Sequence, residues 1–151
     1  MQSEEYQGIT PHLTVPSTDQ AVEFYKAAFG ADELIRNAGN DGRVFHCELL
    51  LNGGRLLLHD DFSEEGETPD ARGGSPVTLH LYVADVDAAY GRCVEAGAES
   101  LAPPEDTFWG DRYAQIKDPA GHLWSLGTHQ ADLSLAEHEE RADEWSKGHF
   151  G

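Results

Sequence analysis

The sequence predicts an α+β fold in which two βαβββ modules form a cupped mixed β-sheet, followed by a C-terminal helix. Three observations carry this. Thr10-Pro11-His12-Leu13-Thr14-Val15 is echoed at an offset of 68 residues by Thr78-Leu79-His80-Leu81-Tyr82-Val83, and the same offset carries Asp19 onto Asp87 and Ala21 onto Ala89. After a one-residue slip, Gly30-Ala31-Asp32 matches Gly97-Ala98-Glu99. Asn52-Gly53-Gly54 and Pro119-Ala120-Gly121 then fall at corresponding turns. Matches in this order indicate an internal duplication. The single domain, residues 1–151, divides into modules at about 6–60 and 76–129, a solvated Gly-, Pro- and acid-rich linker at 61–75, and a tail helix within 130–151.

Each element has a local reason. Ile9 to Val15 alternates and reads as a strand, and Pro16-Ser17-Thr18-Asp19 supplies a turn and a helix N-cap. Ala21, Val22, Phe24, Tyr25, Ala28 and Phe29 recur at helical spacing until Gly30 stops the helix. A short Leu34-Ile35 strand follows, and Arg43 to Leu51 and Arg55 to His59 flank Asn52-Gly53-Gly54 as a hairpin. The second copy gives a strand over Val77 to Val83 and a helix over Val86 to Ala96. Further strands lie near Ala98 to Leu101, Arg112 to Lys117 and His122 to Thr128. Ser134-Leu135-Ala136-Glu137 has capping-box spacing and opens the tail helix.

Alternation also assigns faces. Leu13 and Val15, and in the copy Leu79, Leu81 and Val83, form apolar faces that meet the helices. On the third strand Phe45, Cys47, Leu49 and Leu51 oppose His46, Glu48 and Leu50. The hydrophilic faces of both modules are expected to line one cleft containing His12, His46, Glu48, His80, Tyr82, Tyr113, Gln115 and Ser125.

Composition removes whole classes of function. Ten basic against 28 acidic side chains give a formal charge of −18, which repels phosphate backbones and anionic headgroups, so neither nucleic acid nor membrane is expected as a partner. The opening Met1-Gln2-Ser3-Glu4-Glu5-Tyr6 has no leader-like pattern, and no apolar run is long enough to span a bilayer, which together suggest a cytoplasmic protein. Cys47 and Cys93 read as small buried thiols. The GxxxxGKS, GxGxxG and GxSxG patterns are absent, which removes nucleotide-driven and serine-hydrolase readings.

The paired modules, the openings His12-Leu13-Thr14-Val15 and His80-Leu81-Tyr82-Val83, and Asp118-Pro119-Ala120-Gly121-His122-Leu123-Trp124-Ser125-Leu126 together resemble the vicinal oxygen chelate superfamily of glyoxalases, bleomycin-resistance proteins and dioxygenases. The run Phe108-Trp109-Gly110-Asp111-Arg112-Tyr113, with Gly127-Thr128-His129, is similar to its PhnB-like branch. The resemblance implies a small organic ligand and a homodimer. It also implies a divalent metal held by first and last strands, but those positions here carry Thr10, Thr78, Ser125 and Leu57 or Leu58, which are poor ligands or none. No cofactor is therefore expected, unless His12, His80 and Glu48 form a shifted divalent-metal site.

Three functions stay open on this reading: a glyoxalase- or bleomycin-resistance-like protein using the cleft, a non-catalytic sequestering protein, and a metal-dependent lyase or dioxygenase. Glu48 and His46 are the catalytic candidates. Glu48 would act either as a proton-transfer base with a raised pKa or as an ordinary partner of Arg or Tyr. His12, His80, Tyr82, Trp109, Tyr113, Gln115 and Ser125 are the ligand-binding candidates. Arg112 is expected to pair with Asp111, Trp124 to enter the core, and His129, His138 and His149 to sit on a solvated tail.

Overall fold

The computed structural model describes residues 6–150. The leader reading rests on Met1 to Glu5 and lies outside the described residues. The first module runs β1 (His12–Val15), α1 (Thr18–Phe29), β2 (Asp32–Ala38), β3 (Val44–Leu51) and β4 (Gly54–Asp60). The second runs β5 (Thr78–Tyr82), α2 (Val86–Glu95), β6 (Glu99–Asp106), β7 (Asp111–Lys117) and β8 (Leu123–His129), and α3 (Leu135–Phe150) follows. Each module forms a four-stranded mixed sheet, in the orders β1-β4-β3-β2 and β5-β8-β7-β6, with β1–β4 and β5–β8 parallel.

The helices start on equivalent side-chain caps. Ser17 accepts a hydrogen bond from the Gln20 N–H at 3.3 Å, and Asp85 accepts one from the Ala88 N–H at 3.1 Å. Each cap satisfies a donor that the helix start leaves open. Gly30 ends α1 at φ 66°, a left-handed conformation that glycine adopts without a Cβ clash. α1 buries Val22, Tyr25, Ala28 and their neighbours, while α2 buries Val86, Ala89 and Cys93. The two helices also pack on one another, so both lie on the same side of the molecule.

Several expectations shift. β1 begins at His12 rather than Ile9, which is 97% exposed. Pro11 has no N–H to give the ladder and contributes only its carbonyl, to Leu57 N–H. Phe45 leaves the apolar face: β2 pairs Asn37 with His46 and then Ala38 with Val44, so a bulge at Phe45 puts Val44 in the core and leaves Phe45 57% exposed. β2 and β6 are longer than the sequence suggested. Both are sheet edges, where Pro103 and Pro104 are tolerated and polar residues mask the alternation. The linker is not simply solvated. Thr68 and Pro69 are buried, and Pro69 lies so close to Gly121 that a Cβ there would sit 3.0 Å from the proline ring.

Asp118, at the turn before β8, is a buried hub. Its Oδ1 accepts from the N–H groups of Ala120 and His122, each at 2.9 Å, and its Oδ2 accepts from Trp124 Nε1 at 2.8 Å and from the Tyr25 hydroxyl. Tyr25 belongs to α1, so one carboxylate ties the first module's helix to the second module's hairpin. Burial, with Asp118 alongside, pushes the Tyr25 phenol well above its ordinary pKa. Trp124 is in the core as expected. At the far end, Ser134 Oγ accepts from Glu137 N–H at 3.1 Å and donates to the Glu137 carboxylate at 3.0 Å, which starts α3. Among the described residues, no helix is long and apolar enough to cross a membrane.

Candidate functional site

The first module presents a charged and histidine-rich face. Ladder register sets Glu48 opposite Leu57 and Leu57 opposite His12, so these three cross the face of β3, β4 and β1 in a row. Glu48 is gripped on both oxygens, by His46 Nε2 at 2.9 Å and by Arg55 Nη1 at 2.8 Å. The Arg55 guanidinium also covers the Tyr6 ring at 4.5 Å. His59 Nδ1 donates to the Asp60 carbonyl at 2.7 Å, which leaves Nε2 to accept from the Thr14 hydroxyl at 3.3 Å. The His12 ring meets His59 edge-on at 4.8 Å.

Of the two readings of Glu48, these contacts match the partner of an arginine and not the base with a raised pKa. Its hydrogen bond to His46, aided by the charge of Arg55, holds the carboxyl below the usual range. A carboxylate so stabilised is a weak proton acceptor. His12 is also pushed down, by burial first and then by His59 and His46.

The second module presents rings and neutral polar groups at the equivalent places. His80 lies opposite Ser125, and Gln115 is also opposite Ser125, which matches the His12–Leu57–Glu48 row. His80 Nδ1 is 2.6 Å from Ser125 Oγ. The imidazole lies over Gly127, where a Cβ would come within 3.1 Å of Cε1 and Nε2, so glycine makes room for the ring. Tyr113 stacks on His80 with centroids 6.0 Å apart, Tyr82 meets His80 edge-on at 4.6 Å, and Gln115 Nε2 donates to the Tyr113 hydroxyl at 2.8 Å. Burial lowers the His80 pKa, and Asp111 only partly opposes this.

From Tyr113 the rings continue outward. Trp109 meets it edge-on at 5.5 Å, Phe108 meets Trp109 at 5.0 Å, and Trp145 of α3 lies 5.3 Å from Phe108. His149 stacks on Trp145 at 4.1 Å, and His138 lies 5.8 Å from Phe108. The tail histidines are thus part of an aromatic cluster and not merely solvated. His129 closes β8, with Nδ1 2.8 Å from Asp111 and Nε2 2.6 Å from Asp132. Arg112 pairs with Asp87 at 2.7 Å and Asp106 at 3.1 Å instead of its neighbour Asp111, because alternation turns adjacent strand residues to opposite faces.

The two faces lie side by side. Asn52 Nδ2, in the β3–β4 turn, donates to the Tyr82 carbonyl of β5 at 2.7 Å, and His122 Nε2, in the turn before β8, donates to the Thr14 carbonyl of β1 at 2.9 Å, so a hairpin turn of each module is bonded to the first strand of the other. Among the described residues, no hydrogen bond or ring contact joins the His12 set to the His80 set. His80 borders a seam cavity of about 240 Å³ with Arg55 and Leu79, whereas His12 borders another of about 340 Å³ with Val77 and His122.

The metal positions implied by the resemblance do not suit a metal. Register identifies Leu57, not Leu58, as the counterpart of Ser125. Leucine offers no donor, Ser125 Oγ is engaged by His80, and Thr10 and Thr78 offer only hydroxyls. The shifted set is not gathered either: among the described residues, no three His, Cys, Asp or Glu side chains are placed to hold an ion. Cys47 and Cys93 are buried, and burial raises both thiols to about 11. Asp118, Asn52 and His122 were missed by the sequence reading as organising residues. The Asp-Pro-Ala-Gly turn signalled only a hairpin, and nothing local encodes a contact to the other module.

Known proteins agree with this architecture. The sequence profile of the Glyoxalase/Bleomycin resistance protein/Dioxygenase superfamily matches residues 9–126. The uncharacterized protein Mb0911c of Mycobacterium bovis is 43% identical over 133 residues, spanning 85% of this chain and 88% of the relative. TioX from Micromonospora sp. ML1 superposes with a TM-score of 0.64 at 26% identity, covering 82% of this chain and 98% of that one. The PhnB protein from Bacillus cereus shares the fold at a TM-score of 0.64 and 18% identity, covering 81% and 99%. With duplicated βαβββ modules, the Asp118 hairpin and this match over most of its length, the chain belongs to the glyoxalase/bleomycin resistance protein/dioxygenase superfamily.

Proposed function

We propose that this protein binds and holds a small organic molecule on the hydrophilic face of its second module, without chemical turnover. The carrying observation is the unbroken series of rings from Tyr82 through His80 and Tyr113 to Trp109, with His80 Nε2, Tyr113 and Gln115 as its polar contacts. Aromatic walls with a few fixed polar groups are the usual make-up of a small-molecule site. Two observations favour holding over catalysis. Glu48 is neutralised by Arg55 and His46 in the other module. Ser125, the hydroxyl paired with a histidine base on this face among the described residues, is 4% exposed, so burial keeps it from an incoming electrophile.

His12, His46 and Glu48 are assigned to a supporting charge network on the first module rather than to the chemistry. A homodimer fits the exposed apolar residues of α3, with Leu135 74% and Phe150 80% exposed, and scattering at micromolar concentration tests it. The ligand reading is tested by titrating isotope-labelled protein with a library of small ring compounds and following His80, Tyr113 and Gln115 by NMR, with mass analysis of every binder. Shifts at these residues with the compound recovered unchanged support the proposal. Conversion of a binder, or shifts confined to His12, His46 and Glu48, overturns it.

A further inference from the structure

Beyond the second sheet, a cavity of about 370 Å³ opens between the β6–β7 loop and α3. Phe108, Trp109 and Tyr113 line one side, and Trp145 and His149 of α3 line the other. This volume is within the range of small-molecule pockets. The rings are not packed as a closed core. Trp145 is 39% exposed, no residue of α3 is buried, and α3 meets the body's rings through Trp145 and His138 on Phe108.

The rim is acidic. Glu105 and Asp106 both line the cavity. Asp106 shares Arg112 with Asp87, and Glu105 has no cationic partner among the described residues. Lys147, the basic side chain near the end of α3, is occupied by Asp143 at 2.8 Å. Indole faces attract cations through the ring quadrupole, and the attraction strengthens as the cation is desolvated between rings. The formal charge of −18 attracts cations further and disfavours anions.

We infer that the molecule this protein holds is a flat organic cation, and that α3 supplies one wall of its pocket through Trp145 and His149. This rests on the ligand-binding reading above and adds the ligand's charge, its ring character and the part played by the tail helix. Tyr113 belongs both to the His80 stack and to the cavity, so one extended molecule can contact both.

The test uses the full chain, isotope-labelled, titrated with N-methylquinolinium and separately with quinoline at neutral pH, where quinoline is uncharged. The three tryptophans give three indole N–H signals. The cation is expected to move Trp109 and Trp145 while Trp124, in the core, stays still. Quinoline should bind about tenfold more weakly, the difference expected of a desolvated cation over indole. Glu105→Gln, at an exposed position, should weaken the cation by about threefold or more and leave quinoline unchanged. Equal affinity for the two probes overturns the assignment of charge. A stationary Trp145 overturns the helix wall. If either occurs while His80 and Tyr113 still respond, the binding site itself stands. Silence at all of these residues toward every library compound overturns the site as well.

Discussion

Replacing Asp118 by asparagine tests how the two modules are held together. The side-chain oxygen at Oδ1 can keep the Ala120 and His122 N–H bonds, which places the new amide NH₂ where Oδ2 received Trp124 Nε1 and the Tyr25 hydroxyl. Tyr25 can turn its hydroxyl to accept. The indole N–H cannot, and Trp124 is 4% exposed, so a buried donor loses its partner. An unsatisfied buried donor costs about 1–3 kcal/mol, and exchanging charge-assisted bonds for neutral ones adds to that, so a loss of about 2–4 kcal/mol is expected. Tyr25→Phe removes one bond and leaves Asp118 its other donors, for a loss of about 1–2 kcal/mol. Because the two residues share a bond, the double variant should fall short of the sum. Urea unfolding with a common slope measures all three. An Asp118→Asn loss below about 0.5 kcal/mol, within the range of ordinary surface substitutions, would refute the hub reasoning.

Three further outcomes are expected. Phe108→Ala removes the ring that α3 rests on, so amide exchange in α3 should rise by about tenfold or more while the β3 and β8 amides keep their protection. His12 and His80 have folded pKa values below the unfolded value of about 6.5, so the folded state binds fewer protons, and their contribution is present above about pH 6.5 and lost as pH falls through the folded values. His129 has the opposite sign, raised by Asp132 and then Asp111. Its contribution is present below about pH 6.5 and lost as pH rises through its folded value, so NMR titration should show it protonating before His12 and His80 as pH is lowered. Finally, Cys47 and Cys93 should resist iodoacetamide at neutral pH in the native protein and react once it is unfolded in urea.

The duplication, the helix stops and caps, the hairpins and the inward Trp124 were legible in the sequence because each depends on residues a few positions apart. Ser17, Gly30 and Ser134 act on their own turns, and alternation reports a strand's buried side wherever that strand is half-covered. Legibility failed where neighbours in space decide. Phe45 follows the alternation in sequence, but a bulge against Asn37 and Ala38 turns it outward. Glu48 and Gln115 occupy equivalent ladder positions, and only the partners Arg55 and His46, against Tyr113, make one a neutralised carboxylate and the other a neutral donor to a ring hydroxyl.

By itself the sequence determined that two copies of one module would fold with their apolar sides on the helices, because burying those sides is the dominant gain available to each copy. Tertiary structure alone decided that a hairpin turn of each module bonds to the first strand of the other, through Asn52 and His122, and that a tail helix with no buried residue brings Trp145 to Phe108. The physical reason is range: secondary structure answers to contacts within a turn or a ladder, whereas the placement of His80, Trp109 and Trp145 depends on hydrogen bonds and ring contacts between residues far apart in the chain.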